Sequence, residues 1–222
     1  KIPSNLNDLN LMSNMLKDFN LIVKNICKNK ESVSVLNFGS GDLKMTKAFL
    51  SGTKENLYFS CYDPAYEDTD KLEEHKKTSR ISMLESPSFD NIKLDYLSKE
   101  NELDNKKFDV FISNFCFHHF LEGNTEEDLK EQILSISPDV LIISEYNMSE
   151  DIDINDFKKI FKNEQESREI VEFNSDWNRL LSIHCKYDFL YYKNLLETIG
   201  YKIVKTEKST NKFYLTATKI DE

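Results

Sequence analysis

The 222-residue chain contains the run Val33-Ser-Val-Leu-Asn-Phe-Gly-Ser-Gly-Asp42, in which a strand pattern leads into two closely spaced glycines. Its β-branched and apolar residues predict a short buried strand over 33–38, which ends at Gly39. Glycines at a turn between a strand and a helix let the backbone approach a ligand without interference from a side chain. Gly39 and Gly41 fit that role, and the helix that follows is predicted over 42–51.

Strands and helices alternate along the rest of the chain. Further strands are predicted over 56–62, 92–96, 108–113, 138–144, 201–207 and 212–219, with residues 81–84 as a competing third strand. Further helices are predicted over 70–77, 125–135, 157–161 and 187–199. This order predicts an α/β domain with a mostly parallel sheet and helices on both faces. The last two strands are about four residues apart, whereas a parallel crossover takes about a dozen, so we expect them to pair antiparallel.

Two segments are predicted to cover the edge of the sheet. The first is an amphipathic N-terminal helix, in one piece or two, and the second is a lid around residues 147–185, which interrupts the alternation. We therefore divide the chain into an N-terminal helical cover, residues 1–30, and a main domain, residues 31–222. The helix is predicted from apolar residues three and four positions apart, which are Leu6, Leu9, Met12, Met15 or Leu16, Phe19, Val23 and Ile26.

The predicted lid and the helix after it carry several aromatic side chains. Trp177 is the only tryptophan of the chain, and Arg179, Tyr187 and Tyr191 follow it. An aromatic lid suits a bound molecule that is apolar, aromatic or cationic. The alternative is that these side chains anchor the segment to the core, as the helical spacing of Tyr191 and Leu195 indicates.

Charge, hydropathy and cysteine spacing argue against several classes of protein. The net charge of −10 disfavours a long basic groove for nucleic acid. No apolar run approaches the roughly 20 residues that span a bilayer, and residues 2–29 lack the layout of a signal peptide. We therefore expect a cytoplasmic protein without a membrane span. The four cysteines form no C-x-x-C pair, so no metal site is expected.

The closing antiparallel hairpin narrows the choice among Rossmann-like folds. A dinucleotide-binding domain of the NAD type would add another helix and another parallel strand. Residues Val33 to Lys219 instead resemble the class I S-adenosylmethionine (SAM) dependent methyltransferases. The resemblance implies a seven-stranded, doubly wound sheet whose last strand is antiparallel, with SAM as the cofactor at the carboxyl edge. Two positions depart from the family pattern: Asn37 replaces a common acidic residue, and Leu43 replaces the third glycine of G-x-G-x-G.

Asp63 ends the second predicted strand, 22 residues after Gly41. A carboxylate roughly 20 residues after a glycine turn can accept hydrogen bonds from ribose hydroxyls. The alternative is a turn or N-cap aspartate before Pro64. The resemblance implies that the cofactor-binding residues of this region are Asn37, Gly39, Ser40, Gly41, Asp63 and Pro64.

The third strand ends in Lys93-Leu-Asp-Tyr-Leu97, which resembles the family's loop after strand three. An aspartate there commonly holds the adenine amino group, so Asp95 and Tyr96 are predicted to bind the cofactor. The alternative for Asp95 is a solvated carboxylate. If residues 81–84 were the third strand, Met83 to Glu85 would take this role.

The run Phe108-Asp-Val-Phe-Ile-Ser-Asn-Phe-Cys-Phe-His-His-Phe120 resembles the F-D-x-V…L-H-H-[LF] segment of small-molecule methyltransferases of the ubiquinone and menaquinone type. Asn114 and Phe115 would leave the strand at its carboxyl edge and contact the cofactor. His118 and His119 would follow in the loop before the next helix. The run lacks the N/D-P-P-Y/F tetrapeptide of DNA amino-methyltransferases. The Lys-Asp-Lys-Glu set of RNA 2′-O-methyltransferases has no match either.

Five residues are candidates for the chemistry. His118, His119 and His184 are candidate general bases, because the pKa of an unperturbed histidine lies near neutrality. The alternative is that the histidine pair only packs or hydrogen-bonds near the cofactor. Glu145 and Tyr146 end the fifth strand, where they could orient an acceptor amine, and the alternative for Tyr146 is an aromatic residue of the rim.

The sequence thus predicts transfer of a methyl group from SAM to a nitrogen or oxygen acceptor on a small molecule or peptide. An alternative is a degenerate methyltransferase fold that acts as a binding or activating partner, which Asn37 and Leu43 favour. A cap or tRNA methyltransferase is a further alternative, and the negative charge disfavours it.

Overall fold

The sheet has the predicted number of strands and the predicted directions. The computed structural model describes residues 4–148, 150–161 and 176–221. Its seven strands lie in the order β3-β2-β1-β4-β5-β7-β6, and β1 to β5 pair in parallel. Strand β7 pairs antiparallel with both β5 and β6, so it is the one reversed strand of the sheet. The strands are β1 Val33–Phe38, β2 Leu57–Tyr62, β3 Ile92–Leu97, β4 Val110–Asn114, β5 Val140–Tyr146, β6 Tyr201–Lys208 and β7 Lys212–Lys219.

Helices cover both faces of this sheet, as the alternation predicted. Two 3₁₀ segments matter below, Pro64–Glu67 directly after β2 and Glu100–Glu102 after β3. A third one, Ile81–Glu85, occupies the stretch that competed for the third strand, so the prediction over 92–96 is confirmed. The α-helices are α1 Ser4–Ile26, α2 Lys44–Leu50, α3 Thr69–Ser79, α4 Phe117–Gly123, α5 Glu126–Ile136, α6 Ile154–Phe161, α7 Trp177–Cys185 and α8 Phe189–Thr198.

The strand order creates a switch point beside β1. The chain runs outward through β2 and β3 on one side of β1 and through β4 and β5 on the other. In open α/β sheets, ligands bind outside the carboxyl ends of the strands at such a point. The topology therefore places the candidate site at the carboxyl ends of β1, β2 and β4.

Helix α1 is one continuous helix that packs on one face of the sheet. Its buried side chains are four residues apart, at Leu11, Met15, Phe19 and Val23, whereas Leu9 is 66% exposed. The prediction that Leu9 belongs to the apolar face of the helix is wrong, because the buried face contains Leu11 instead. Phe19 packs edge-on against Phe49 of α2, with 5.1 Å between ring centroids.

The opposite face of the sheet is covered by α4, α5 and α8. Phe117, Ile133 and Tyr192 are buried there against Phe111 of β4 and Phe213 of β7. Gly200 ends the segment after α8 with a φ of +87°, as a glycine just past a helix is expected to do.

Residues 149 and 162–175 of the predicted lid lie outside the described residues. The described parts of the lid are α6 and α7, and they bury Phe157, Phe161 and Leu180 against Tyr146 at the end of β5. Within the described part of the chain, no helix is both long and apolar enough to cross a membrane.

Candidate active site

A cavity of about 810 Å³ opens at the carboxyl ends of β1, β2 and β4. Pockets for small ligands and cofactors usually have volumes of about 300–1,000 Å³, so this one has room for a cofactor. It contains most of the predicted cofactor-binding residues. The predicted residues on its wall are Asn37, Gly39, Ser40, Gly41, Asp63, Pro64, Asn114, Phe115, His119 and Tyr146.

The turn after β1 is tied to the end of β2 by backbone hydrogen bonds. The N–H groups of Gly39 and Ser40 both donate to the carbonyl of Tyr62, at 2.8 and 2.9 Å. The hydroxyl of Tyr66 donates to the carbonyl of Gly41 at 2.8 Å. The turn is therefore held in place without any ligand.

The two glycines of the turn are required for different reasons. Gly39 has a φ of +77°, and a Cβ atom there would lie 2.2 Å from Sγ of Cys116, which leaves no room for a side chain. Gly41 has a φ of +52°, and a Cβ atom would meet no atom within 4 Å. Gly41 thus faces the open cavity, where a side chain would take space from a ligand.

Leu43 explains how the chain does without the third glycine. Its φ is +65°, so Leu43 adopts the left-handed backbone that glycine favours. The Leu43 side chain is fully buried in the core beside α2. Burial of a leucine side chain stabilises by roughly 1.5–3 kcal/mol, which offsets the roughly 1–2 kcal/mol that the left-handed conformation costs.

Asp63 both caps a helix and faces the cavity. Its Oδ1 accepts a hydrogen bond from the N–H of Ala65, and its Oδ2 accepts one from the N–H of Gly41, each at 2.9 Å. An ionised carboxylate offers about four lone-pair positions. Two of them stay available for donors in the cavity, so the two interpretations of Asp63 from the sequence are compatible.

Asn37 presents a buried acceptor at the cavity wall. Its amide Nδ2 donates to Oγ1 of Thr46 at 2.9 Å. Its Oδ1 is buried and accepts no hydrogen bond from any residue in the described part of the chain. A buried acceptor left in this way costs about 1–3 kcal/mol, and a donor on a ligand in the cavity would remove that cost.

The charged side chains on the cavity wall are mostly acidic. They are Asp42, Asp63, Glu100 and Lys212. The Nζ atom of Lys212 lies 5.5 Å from the ring centroid of Phe115. Because carboxylates outnumber the ammonium group on this wall, the cavity favours a cationic ligand.

Asp95 and Tyr96 do not reach the cavity. Both lie within β3, and not in a loop after it as the sequence analysis expected. Asp95 is exposed and pairs with Lys106 at 3.1 Å, and the Tyr96 hydroxyl donates to Glu85 at 3.0 Å. Glu100, from the 3₁₀ segment that follows, lines the cavity instead. No motif singles out this glutamate, because its position depends on where β3 ends.

Phe115 has a strained backbone at the cavity wall. Its φ is +53°, and such conformations in bulky residues concentrate at functional sites. The Phe115 ring lies 4.8 Å from that of Tyr146, measured between centroids. Next to it, Asn114 accepts a hydrogen bond from the hydroxyl of Ser144. The ends of β4 and β5 thus supply one aromatic wall of the cavity.

The adjacent histidines point in different directions because they lie on a helix. Helix α4 begins at Phe117, so the expected loop position of His118 and His119 is wrong. His119 is exposed and lines the cavity, whereas His118 is 2% exposed. Nδ1 of His118 lies 2.7 Å from Oε2 of Glu145, and the His118 N–H donates to Oε1 at 3.2 Å.

Two further catalytic candidates, Glu145 and His184, are buried and do not line the cavity, whereas Tyr146 is buried and lines it. Glu145 is 1% exposed and directs its carboxylate to His118, so the structure does not place it beside an acceptor. His184 is buried on α7, and its Nδ1 donates to the carbonyl of Leu180 at 2.8 Å. Of the three histidines, only His119 lines the cavity.

The aromatic residues of the lid lie away from the cavity. Trp177 packs edge-on against Phe157, with ring centroids 6.3 Å apart. Arg179 donates to Glu122, and the hydroxyl of Tyr191 donates to Glu126 at 3.1 Å. These contacts support the alternative in which the side chains anchor the segment.

The cysteines near the site remain thiols at neutral pH. Burial raises the pKa of Cys61 to about 12. Burial, followed by the charges of Glu145 and Asp63, raises the pKa of Cys116 well above its usual range. Because the thiolate is the reactive form, neither cysteine is a candidate nucleophile.

Comparison with known proteins assigns the fold. No family model matches the chain, and no curated protein matches its sequence. Among solved structures, the methyltransferase domain of bacterial CtHen1 is 15% identical, with a TM-score of 0.57 over 93% of this chain and 98% of that one. A SAM-dependent methyltransferase from Aquifex aeolicus is 13% identical, with a TM-score of 0.53 over 92% and 97%.

A third similar structure was determined with a bound product of the cofactor. Magnesium protoporphyrin IX methyltransferase from Synechocystis PCC 6803, with bound S-adenosylhomocysteine (SAH), is 13% identical. Its TM-score is 0.52 over 92% of this chain and 82% of that one. The chain has the fold of the class I SAM-dependent methyltransferases. Its strand order, its reversed seventh strand and its similarity to these structures all indicate this fold.

Proposed function

We propose that this chain is a SAM-dependent methyltransferase that acts on a nitrogen or oxygen atom of a small molecule or peptide. The observation that carries the proposal is the arrangement of Gly41 and Asp63. Gly41 faces open space, and the carboxylate of Asp63 keeps lone pairs that can accept further hydrogen bonds. Both residues line one cavity, which lies at the switch point of a methyltransferase fold.

The residues of the cavity fit the chemical groups of SAM. Asp63 can accept hydrogen bonds from both ribose hydroxyls while it keeps its bonds to Gly41 and Ala65. Oδ1 of Asn37 would accept a hydrogen bond from the ammonium group of the methionine part. SAM carries a sulfonium and an ammonium, and the acidic side chains of the wall complement that positive charge.

Bound SAM supplies an already activated methyl group, so the protein has mainly to orient the acceptor and exclude water. The aromatic wall formed by Phe115 and Tyr146 can do both, because it is held between the end of β5 and the helices of the lid. His119 lines the cavity, and its predicted part in removing a proton from the acceptor stays a prediction.

A small acceptor suits this site better than a nucleic acid. The net charge is −10, and Lys212 is the cation among the described residues on the cavity wall. A groove for a polyanion would need several basic side chains to neutralise phosphates. The cavity instead combines aromatic rings with a few polar atoms, which is typical of small-molecule sites.

A degenerate methyltransferase fold that acts as a binding or activating partner is the competing function. Leu43 does not favour it, because this residue adopts the left-handed backbone that glycine favours and so keeps the turn. Asn37 does not favour it either, since it lines the cavity and its Oδ1 remains able to accept a hydrogen bond.

The proposal is tested by transfer of a radiolabelled methyl group. The chain is incubated with methyl-labelled SAM and fractionated small-molecule and peptide extracts, and label in an acceptor is measured. We expect transfer by the unaltered chain and none by Gly41→Val, which places a side chain where the ligand would approach the turn. Binding of SAM without transfer to any fraction would instead support a binding partner, and absence of SAM binding would contradict the proposal outright.

A further inference from the structure

Three of the four histidines of the chain meet at the cavity wall, with His119 lining the cavity and the other two buried behind it. One ring nitrogen from each of His118, His119 and His184 lies within 4.8 Å of the other two. The ring centroids of His118 and His119 are 4.1 Å apart, and those of His118 and His184 are 4.6 Å apart. Such a group of imidazoles on two different helices is a candidate ligand set for a metal ion.

The contacts of the buried histidines orient their rings as metal ligands. Nδ1 of His118 faces a carboxylate oxygen of Glu145, and Nδ1 of His184 faces the carbonyl oxygen of Leu180. Because these oxygens accept hydrogen bonds, each Nδ1 is the donor, and Nε2 is the nitrogen that carries the lone pair. Histidines that bind metals almost always donate their second N–H to a carboxylate or a backbone carbonyl in this way.

The distances are within reach of a bound cation. Zn–N bonds of about 2.0–2.1 Å in a tetrahedral site place the ligand nitrogens about 3.4 Å apart. From separations of 4.8 Å or less, each nitrogen would move by roughly 1 Å, which small rotations of the side chains supply.

The surroundings close the cluster on one side and open it on the other. The rings of Tyr146 and Phe161 lie 4.9 and 4.7 Å from that of His184, measured between centroids, and keep that side apolar. His119 faces the cavity. Three protein ligands with a fourth position open to a pocket are typical of catalytic zinc sites, whereas structural sites have four.

The charge of Glu145 also fits a cation. Its carboxylate is 1% exposed, and a buried carboxylate needs a compensating positive charge. A divalent cation bound by the far side of the His118 ring would provide it.

We propose that His118, His119 and His184 bind a divalent transition-metal cation of the kind that imidazole ligands favour, such as Zn²⁺, with Glu145 positioning His118. The fourth coordination position faces the cavity. An oxygen or nitrogen atom of a bound molecule can occupy it. The site goes beyond the proposed methyl transfer and does not rest on it, because the cation binds without SAM.

The experiment uses the full chain without an affinity tag, stripped of metal and kept free of SAM. Zn²⁺ binding is measured by equilibrium dialysis, and Co²⁺ binding by its visible absorption, which reports the coordination geometry. We expect one cation per chain and a Co²⁺ spectrum of low coordination number. Because His119 is exposed, His119→Ala should fold. It should lower Zn²⁺ affinity more than about 100-fold, since the loss of a residue that only hydrogen-bonds to a metal ligand costs about 10–100-fold.

Two further variants separate the site from unspecific binding. Glu145→Gln should lower the affinity roughly 10–100-fold, the range for an outer-shell partner. His75→Ala removes the fourth histidine, which lies on α3 outside the cluster, and should leave the affinity unchanged. Absence of stoichiometric binding to the unaltered chain, equal affinity in His119→Ala, or an equal loss in His75→Ala would each overturn the proposal.

Discussion

The backbone N–H of Gly41 donates a hydrogen bond of 2.9 Å to Oδ2 of Asp63, which joins the turn after β1 to the end of β2. This bond fixes both halves of the proposed cofactor site before a ligand arrives. Pre-organisation of this kind lowers the cost of ordering the site when a ligand binds.

The first prediction concerns Asp63. Asp63→Ala should weaken SAM binding by roughly 1.5–3 kcal/mol, the range for hydrogen bonds to a charged group. Isothermal titration calorimetry measures this change. Asp95→Ala is the matched control, because Asp95 is an exposed aspartate on the neighbouring strand, away from the cavity. Equal losses in both variants, or no loss in Asp63→Ala, would show that Asp63 does not bind the cofactor.

The second prediction separates the two glycines of the turn. Gly39→Ala should lower the melting temperature, because its Cβ atom would lie 2.2 Å from Sγ of Cys116. Gly41→Val should stay folded, apart from the roughly 1–2 kcal/mol cost of a left-handed residue, but should lose SAM binding. Thermal unfolding and calorimetry on both variants check this pattern. If Gly41→Val lowered the melting temperature and kept SAM binding, while Gly39→Ala stayed stable and lost it, Gly41 would be structural and would not border the cofactor.

The third prediction concerns Trp177, which contacts Phe157 of α6 and does not line the cavity. Trp177→Ala should destabilise the protein by less than the about 3–5 kcal/mol of a fully buried aromatic residue, with SAM affinity unchanged. Trp177→Phe should restore most of the stability. If Trp177→Ala instead kept its melting temperature and lost methyl transfer, the side chain would belong to the acceptor site.

The fourth prediction is that duplex DNA and RNA bind weakly. It follows from the net charge of −10 and from the acidic side chains around the cavity. Filter binding at several salt concentrations is the measurement. Submicromolar affinity that falls steeply with salt would contradict it, because such a dependence reports the release of counterions by basic side chains.

The sequence predicted the seven strands, the reversed β7 and most of the named residues that line the cavity. These features depend on local patterns, such as the β-branched run before Gly39 and the short link between β6 and β7. Asp95 was assigned to the cavity by resemblance, whereas the pattern of the predicted strand gives its span but not what each side chain contacts. Register decides whether such a side chain reaches the cavity or, as here, pairs with Lys106.

The cluster of histidines shows a different limit. His118 and His119 are neighbours in sequence, but only the start of α4 at Phe117 determines that one is buried and the other lines the cavity. His184 lies 65 residues after His119 and reaches the pair through the packing of α7 against α4. Spacing along the chain carries no signal for a contact of this kind, so no metal site was expected.

Calorimetric titration of the full chain with SAM and with SAH measures whether the cavity at the carboxyl ends of β1 and β2 binds the cofactor. We expect saturable binding of both with one site per chain, and loss of that heat in Gly41→Val. Absence of binding by the folded, unaltered chain, or undiminished binding in Gly41→Val, would contradict this expectation.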